Sequence, residues 1–126
     1  MPARILVVDD EADVEPLLSQ GFRRRIRAGE LVLAFESDGE AALKRLTGDP
    51  AFDVVLTDIN MPRMDGYEVI RQMRKNAVHK STPILVLTTE SEAAKRNIAR
   101  EAGATGWMVK PFDPDRLVAT INKVAP

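Results

Sequence analysis

The chain of 126 residues contains no cysteine, which excludes both a disulfide framework and a metal site built from thiolates. No apolar run approaches the length that is needed to span a bilayer. The first residues, Met1 to Arg4, lack the charged region, apolar stretch and cleavage site of a signal peptide. These absences predict one cytoplasmic domain over residues 1–126.

An excess of charge of one sign is missing as well. Lysine and arginine total 18, aspartate and glutamate total 19, and the formal net charge is -1. Such a balance gives no general attraction to nucleic acid or to an anionic membrane, so we expect neither as a direct partner. The hydrophobic fraction of 44% is ordinary for a globular protein, and the length suits a single core.

Short apolar runs alternate with helical patterns along the whole chain. The runs predict strands over residues 4–8, 31–35, 54–57, 84–87 and 106–109. The helical patterns cover residues 11–27, a segment that Asp38 can cap and Gly48 ends, a segment opened by Asp65 and Gly66, and residues 91–102 and 113–124. This order predicts an α/β fold with a doubly wound, five-stranded parallel sheet. Several runs are apolar throughout, as expected of strands that are buried on both faces.

Polar residues follow four of these runs. Asp9 and Asp10 follow the first run, Asp58 the third, Thr88 the fourth and Lys110 the fifth. Ligands of open parallel sheets bind outside the carboxyl ends of the strands. If the four strands lie side by side, these five residues converge on one small site.

The three carboxylates of Asp9, Asp10 and Asp58 would repel one another in a partly desolvated cleft. A divalent cation relieves that repulsion, and an oxygen-only ligand set favours Mg²⁺ over zinc. The structural alternative is that Asp9 or Asp10 caps the first helix. That alternative explains Asp58 poorly, because the next predicted helix begins several residues later.

Lys110 and Thr88 extend the same pattern. A lysine ammonium suits an incoming phosphoryl group, although Lys110 could instead be a surface residue with a buried stem. Thr88 offers a hydroxyl donor, or is an ordinary β-branched strand residue. Cation, lysine and hydroxyl together match the needs of phosphoryl transfer, with Asp58 as the nucleophile, since carboxylates can form aspartyl-phosphates.

Four motifs in order carry a resemblance to a known family. They are the segment from Val8 to Glu11, the segment from Leu56 to Pro62 continuing to Asp65-Gly66, the pair Leu87-Thr88, and Gly103-Ala104 followed by Lys110-Pro111-Phe112. Over essentially its whole length the chain resembles the receiver domains of two-component signalling, most of all the single-domain regulators of the chemotaxis type. The resemblance implies the (βα)5 flavodoxin-like receiver fold.

The resemblance also implies roles at the carboxylate cluster. Asp58 matches the phosphoacceptor, which receives its phosphoryl group from a histidine kinase or a histidine phosphotransfer protein. Asp10 matches the direct Mg²⁺ ligand and Asp9 its second acidic partner. Asn60 matches the position whose backbone carbonyl coordinates the metal.

Beyond the metal site, the resemblance implies a switch. Thr88 matches the switch hydroxyl, Lys110 the lysine that contacts the phosphate, and the bond from Lys110 to Pro111 is expected to be cis. The switch aromatic of the family is usually Tyr, Phe or His, but here it is Trp107, and Thr89 stands where a small residue is usual. Trp107 is therefore either a rotating switch or an indole fixed against neighbouring helices.

The implied output surface combines the fifth strand with the helices at 91–102 and 113–124, for a downstream protein that the sequence does not name. Four arginines, Arg23, Arg24, Arg25 and Arg27, lie near the end of the first predicted helix. A solvated basic helix end is their default interpretation, and a docking patch for the phosphodonor is the alternative. His79 receives no role.

Three other functions fit these residues less well. A phosphatase of the haloacid dehalogenase type generally needs a second aspartate two residues after the nucleophile, where this chain has Asn60. A flavin-binding protein is disfavoured, because two aspartates after the first strand would repel a phosphate. A degenerate receiver that acts only by binding is disfavoured by the presence of the full set, Asp9, Asp10, Asp58, Thr88 and Lys110.

Overall fold

The computed structural model describes residues 3–49, 51–61, 64–89, 92–110 and 113–124. The strands within those ranges are β1 (Ala3–Val8), β2 (Leu31–Glu36), β3 (Val54–Thr57), β4 (Ile84–Thr88) and β5 (Gly106–Val109). The helices are α1 (Val14–Gly21), α2 (Arg23–Arg27), α3 (Gly39–Gly48), α4 (Gly66–Lys75), α5 (Ala93–Ala102) and α6 (Pro114–Val124). None of the helices in the described part of the chain is both long enough and apolar enough to cross a membrane.

The five strands form one parallel sheet in the order β2-β1-β3-β4-β5. Alternate residues of β1 enter opposite cores: Ile5 and Val7 join the cluster that includes α1 and α6, while Leu6 and Val8 join the cluster that includes α3, α4 and α5. The sheet is thus covered on both faces, which confirms the predicted doubly wound fold. Because β1 lies between β2 and β3, the strand order reverses there, and ligands of such sheets bind beside that point.

The predicted first helix, residues 11–27, is wrong in its start and its continuity, because it begins at Val14 and is divided in two. The chain leaves helical geometry at Phe22, whose φ is -104° and ψ 12°. Phe22 is fully buried, and the residue before it, Gly21, has a low helix propensity because its backbone is unusually free. The apolar spacing of Val14, Leu17 and Leu18 predicts that all three face the core, but Leu17 is 54% exposed. Val14 and Leu18 alone form the buried face of α1.

Helix ends follow the predicted signals. The carboxylate of Asp38 accepts a hydrogen bond from the Ala41 amide at 2.7 Å, and that of Asp65 accepts one from the Glu68 amide at 2.9 Å. Gly103 ends α5 with a φ of 114°, a conformation that favours glycine. Ser91, the predicted start of α5, and the predicted cis bond to Pro111 lie outside the described residues.

Two residues that received no role from the sequence hold the end of α4 in place. His79 is 1% exposed, with Nε2 3.3 Å from the Leu46 carbonyl oxygen and Nδ1 3.2 Å from the Thr82 hydroxyl. The Arg74 guanidinium donates to the carbonyls of Thr82 at 2.7 Å, His79 at 2.9 Å and Gly103 at 2.9 Å. Arg74 therefore ties α4 to the segments that lead into β4 and β5.

Candidate functional site

The site begins with the pairing of β1 and β3. Val8 is opposite Thr57 in the register, so Asp9 and Asp58 each follow the last residue of a neighbouring strand. The Asp58 amide donates to the Val8 carbonyl at 2.9 Å, and the Asp9 amide donates to the Glu36 carbonyl at 3.0 Å. Backbone hydrogen bonds therefore continue past the strand ends and fix the backbone positions of Asp9 and Asp58.

The carboxylates of Asp9, Asp10 and Asp58 form a cluster. One oxygen from each residue lies within 4.8 Å of the others. Asp58 is buried at 5% exposure, Asp9 is partly buried and Asp10 is exposed. Three oxygen donors without nitrogen or sulfur fit a hard divalent cation such as Mg²⁺, which takes one or two carboxylates together with carbonyls and waters.

The capping alternative for Asp9 and Asp10 is wrong. The N-cap of α1 is Asp13, whose side chain makes no capping hydrogen bond. Asp9 instead accepts from the Glu11 amide at 2.9 Å, which makes a tight turn directly after β1. Asp9 and Asp10 therefore lie in a turn between β1 and α1, and neither caps the helix.

Lys110 supplies the positive charge of the site. Its amide donates to the Thr88 carbonyl at 2.7 Å, so the end of β4 positions it. Its ammonium lies 2.5 Å from Asp9 Oδ2, 3.5 Å from Glu11 Oε1 and 3.8 Å from Asp58 Oδ2. Its side chain is only 10% exposed, so Lys110 is not a solvated surface lysine.

Burial and charge act against each other in this pair. Burial raises the pKa of Asp9, and the hydrogen bond from Lys110 offsets only part of that rise. Burial by itself would lower the pKa of Lys110, but the hydrogen bond to Asp9 and the charges of Asp9, Asp58 and Glu11 outweigh it and raise that pKa. The raised pKa of Asp9 favours a neutral carboxyl, whereas the raised pKa of Lys110 favours a charged pair. We take the pair as ionised, because the ammonium faces three carboxylates.

The backbone of Asp58 is enclosed by the loop that follows it. The side-chain Oδ1 of Asp58 accepts a hydrogen bond from the Ile59 amide at 2.7 Å. The Gly66 amide donates to the Ile59 carbonyl at 3.0 Å. A Cβ at Gly66 would stand 2.0 Å from the Asp58 carbonyl oxygen. Only glycine allows this approach, so α4 begins directly against Asp58.

The remaining predicted residues lie around this centre. Thr88 is fully buried at the end of β4, next to β3 in the sheet. Asn60 is exposed in the loop after β3, and Thr89 is exposed after β4. Trp107 is half-buried inside β5, paired with Val86. It packs against the core cluster that contains Ala99, as Ala102 does.

The arginine-rich segment, residues 23–27, borders a surface depression. Arg23, Arg24 and Arg25 line a depression of about 570 Å³ together with Glu30 and Asp115. No ion pair joins Arg23, Arg24 or Arg25 to another residue of the described ranges. Arg23 and Arg24 are exposed, so this segment is a basic surface patch, and its use in docking a phosphodonor stays a prediction.

Comparison with known proteins gives a consistent answer. The sequence profile described as "Response regulator receiver domain" matches residues 5–122. The transcriptional regulatory protein ResD of Bacillus subtilis is 40% identical over 119 residues, which are 94% of this chain and 46% of that protein. The response regulator MprA of Mycolicibacterium vanbaalenii is 38% identical over 97% of this chain and 50% of its own length. The chain thus spans about half the length of these relatives.

A solved structure is similar over its full length. The chemotaxis response regulator CheY4 of Vibrio cholerae has a TM-score of 0.86 and 37% sequence identity, with 98% of this chain and 99% of that chain covered. The expected likeness to chemotaxis-type receivers is therefore confirmed, and so is the fold class.

Proposed function

The chain belongs to the response regulator receiver domain family, and on that premise we propose that Asp58 accepts a phosphoryl group and thereby switches the binding of a partner. Response regulators take part in two-component signalling, where histidine kinases phosphorylate them. The observation that carries the proposal is the convergence of three carboxylates and one lysine at a single sheet edge. The donor is a histidine kinase or a histidine phosphotransfer protein, and we place the reaction in the cytoplasm.

The chemical step is a transfer from nitrogen to oxygen. A carboxylate oxygen of Asp58 attacks the phosphorus of a phosphohistidine, the new P–O bond forms as the P–N bond breaks, and the imidazole leaves with the electron pair. Oδ1 of Asp58 is engaged by the Ile59 amide. Oδ2 lies 3.8 Å from the Lys110 ammonium, which makes Oδ2 the attacking oxygen.

The surrounding residues hold charge in place during that step. Lys110 contacts an oxygen of the arriving phosphoryl group and the buried hydroxyl of Thr88 donates to another. Asp9, Asp10, Asp58 and the backbone carbonyl of Asn60 would hold Mg²⁺, which supplies positive charge against the phosphoryl oxygens. The cluster fits this ion because its donors are all oxygen.

We further propose that the signal leaves through the surface made by β5, α5 and α6. Movement of Thr88 towards the phosphoryl group changes the space beside β5, where Trp107 lies. Trp107 is half-buried and borders a surface groove of about 340 Å³ with Arg96 and Arg100. A side chain in that setting has room to change position, which supports a switching role. The downstream partner is a protein that the sequence does not name.

The test is phosphorylation by a small donor. We expect acetyl phosphate with Mg²⁺ to add one phosphoryl group, seen by intact-mass spectrometry. Asp58→Asn and omission of divalent metal should each prevent the addition. A chain that stays unlabelled under all conditions would be a binding module instead. Steady hydrolysis of the donor without labelled protein would indicate a phosphatase. Normal labelling of Asp58→Asn would refute Asp58 as the acceptor.

A further inference from the structure

Gly39 is the first residue of α3 and is buried. Glycine lowers the stability of a helix relative to alanine, because its backbone is freer in the unfolded chain. A glycine at this position therefore needs a reason. The reason lies in the neighbouring loop, which joins Asp58 to α4.

A side chain at position 39 would collide with that loop. An ideal Cβ there would lie 2.4 Å from the Met64 carbonyl oxygen and 2.7 Å from Cγ2 of Val69. Ordinary contacts begin at 3.4 Å, so the Met64 carbonyl would have to retreat by about 1 Å. The collision involves backbone, and a change of rotamer cannot relieve it.

The helix cannot give way in place of the loop. Ala42 and Leu46 of α3 are 0% and 2% exposed, and the side chain of Asp38 caps the helix through the Ala41 amide. Val69 of α4 is fully buried too. Moving α3 outwards would open the core between α3 and α4, which close packing makes costly.

The described parts of the loop on either side of residues 62–63 are joined to each other. Gly66 closes it through the hydrogen bond to the Ile59 carbonyl at 3.0 Å, and it touches the Asp58 backbone. Met64 lies two residues before Gly66, and Asn60, whose carbonyl is a proposed Mg²⁺ ligand, directly follows Ile59. A shift at Met64 is therefore passed to Asn60 through Gly66 and its hydrogen bond to Ile59.

We propose that Gly39 is a positioning residue for the phosphorylation site, because α3 lies directly on the Met64 carbonyl and so fixes the loop that carries Asn60. The inference rests on the proposed function. Residues that orient metal ligands typically change metal affinity by about 10- to 100-fold when they are replaced, and a misplacement of about 1 Å can cost about 100-fold in rate.

The experiment compares Gly39→Ala with Gly48→Ala. Gly48 ends the same helix, and a Cβ there would meet nothing within 4 Å. Amide chemical shifts from NMR report the loop directly in metal-free protein, and titration with Mg²⁺ gives the dissociation constant. For Gly39→Ala we expect displaced amide signals at Ile59, Asn60 and Gly66, a dissociation constant raised about tenfold or more, and slower labelling by acetyl phosphate.

Gly48→Ala should match the wild type within about twofold, because its Cβ points into open space. The outcomes separate the two proposals. If the wild type neither binds Mg²⁺ nor becomes labelled, the proposed function fails and this inference falls with it. If the wild type does both and Gly39→Ala equals it, with unmoved loop signals, the positioning role alone is refuted.

A second pair of variants covers the case that Gly39→Ala does not fold. Val69→Ala removes the contact at 2.7 Å but leaves the one with the Met64 carbonyl at 2.4 Å. The double variant Gly39→Ala with Val69→Ala is then compared with Val69→Ala alone. A weaker Mg²⁺ affinity in the double variant supports the positioning role, and equal affinities overturn it.

Discussion

Replacing Asp10 with asparagine removes one negative charge from the cluster and hardly changes the shape of the side chain. An Asp10 oxygen lies within 4.8 Å of oxygens on both Asp9 and Asp58. No basic side chain within the described ranges forms an ion pair with Asp10. We therefore expect Asp10→Asn to stabilise the metal-free protein.

The size of the effect follows from the separation. Two unit charges 4.8 Å apart repel by about 0.9 kcal/mol in water and by about 3.5 kcal/mol at an effective dielectric of 20. Asp10 is exposed, so the smaller value applies to each of its two neighbours. Lys110 neutralises part of this repulsion. The expected gain is about 1 kcal/mol, or about 4 °C in melting temperature for a domain of this length.

Mg²⁺ should make the wild type more stable than Asp10→Asn, the reverse of their order without metal. At about 100 times its dissociation constant, a ligand that binds only the folded state stabilises by about 2.7 kcal/mol. The wild type should receive that full amount, whereas Asp10→Asn, which lacks a proposed direct ligand, should receive much less. Asp10→Asn is then the more stable protein in EDTA and the less stable protein in Mg²⁺.

Thermal unfolding in EDTA and in Mg²⁺ checks both halves of this expectation. Asp13→Asn is the matched control, because Asp13 is an exposed aspartate outside the cluster and makes no capping hydrogen bond. It should follow the wild type in both buffers. If Asp10→Asn is no more stable than the wild type in EDTA, the carboxylates do not repel one another as the geometry requires. If Mg²⁺ stabilises both proteins equally, Asp10 is not a ligand.

Three further outcomes are expected. Asp10→Ala should weaken Mg²⁺ binding more than Asp9→Ala, because Lys110 and the Glu11 amide already engage Asp9; equal losses in a Mg²⁺ titration would refute the ranking. Arg74→Ala should lower the free energy of unfolding by about 3 kcal/mol, because three backbone carbonyls lose the partly buried guanidinium that donates to them. Urea unfolding checks it against Arg71→Ala, which removes only the exposed ion pair with Glu68 at 3.4 Å and should cost much less; similar losses would contradict the role of Arg74. Beryllofluoride with Mg²⁺ should move amide signals from Asp58 through Thr88 to Trp107 and α5, and changes confined to the phosphate contacts would make Trp107 a structural residue.

The strands were predictable because their signal is local. The runs of β3 and β5 have the predicted bounds, Val54–Thr57 and Gly106–Val109. The polar residues that follow the strands were predictable for a second reason. In a parallel sheet the carboxyl ends share one edge, so residues far apart in sequence meet there once the strand order is known. Asp9 and Lys110 are the clearest case, because they are 101 positions apart in the sequence.

The misses all depend on contacts that no local pattern contains. The break at Phe22 follows a run whose helical spacing continues through it, and Leu17 occupies a position on the same stripe although it is exposed. Arg74 looks like an ordinary helix surface residue, yet its partners come from segments up to 31 positions away. Gly39 needs the Met64 carbonyl as its neighbour, which only the packed loop reveals.

Chemical trapping of the phosphorylated side chain tests the central claim most directly. Borohydride reduces an aspartyl-phosphate to homoserine, which peptide mass spectrometry locates in the sequence. After treatment with acetyl phosphate and Mg²⁺, we expect homoserine at position 58 and at no other aspartate, and none when EDTA replaces Mg²⁺. Conversion at Asp9 or Asp10 instead, or no conversion in protein that binds Mg²⁺, would contradict the assignment of Asp58 as the phosphoacceptor.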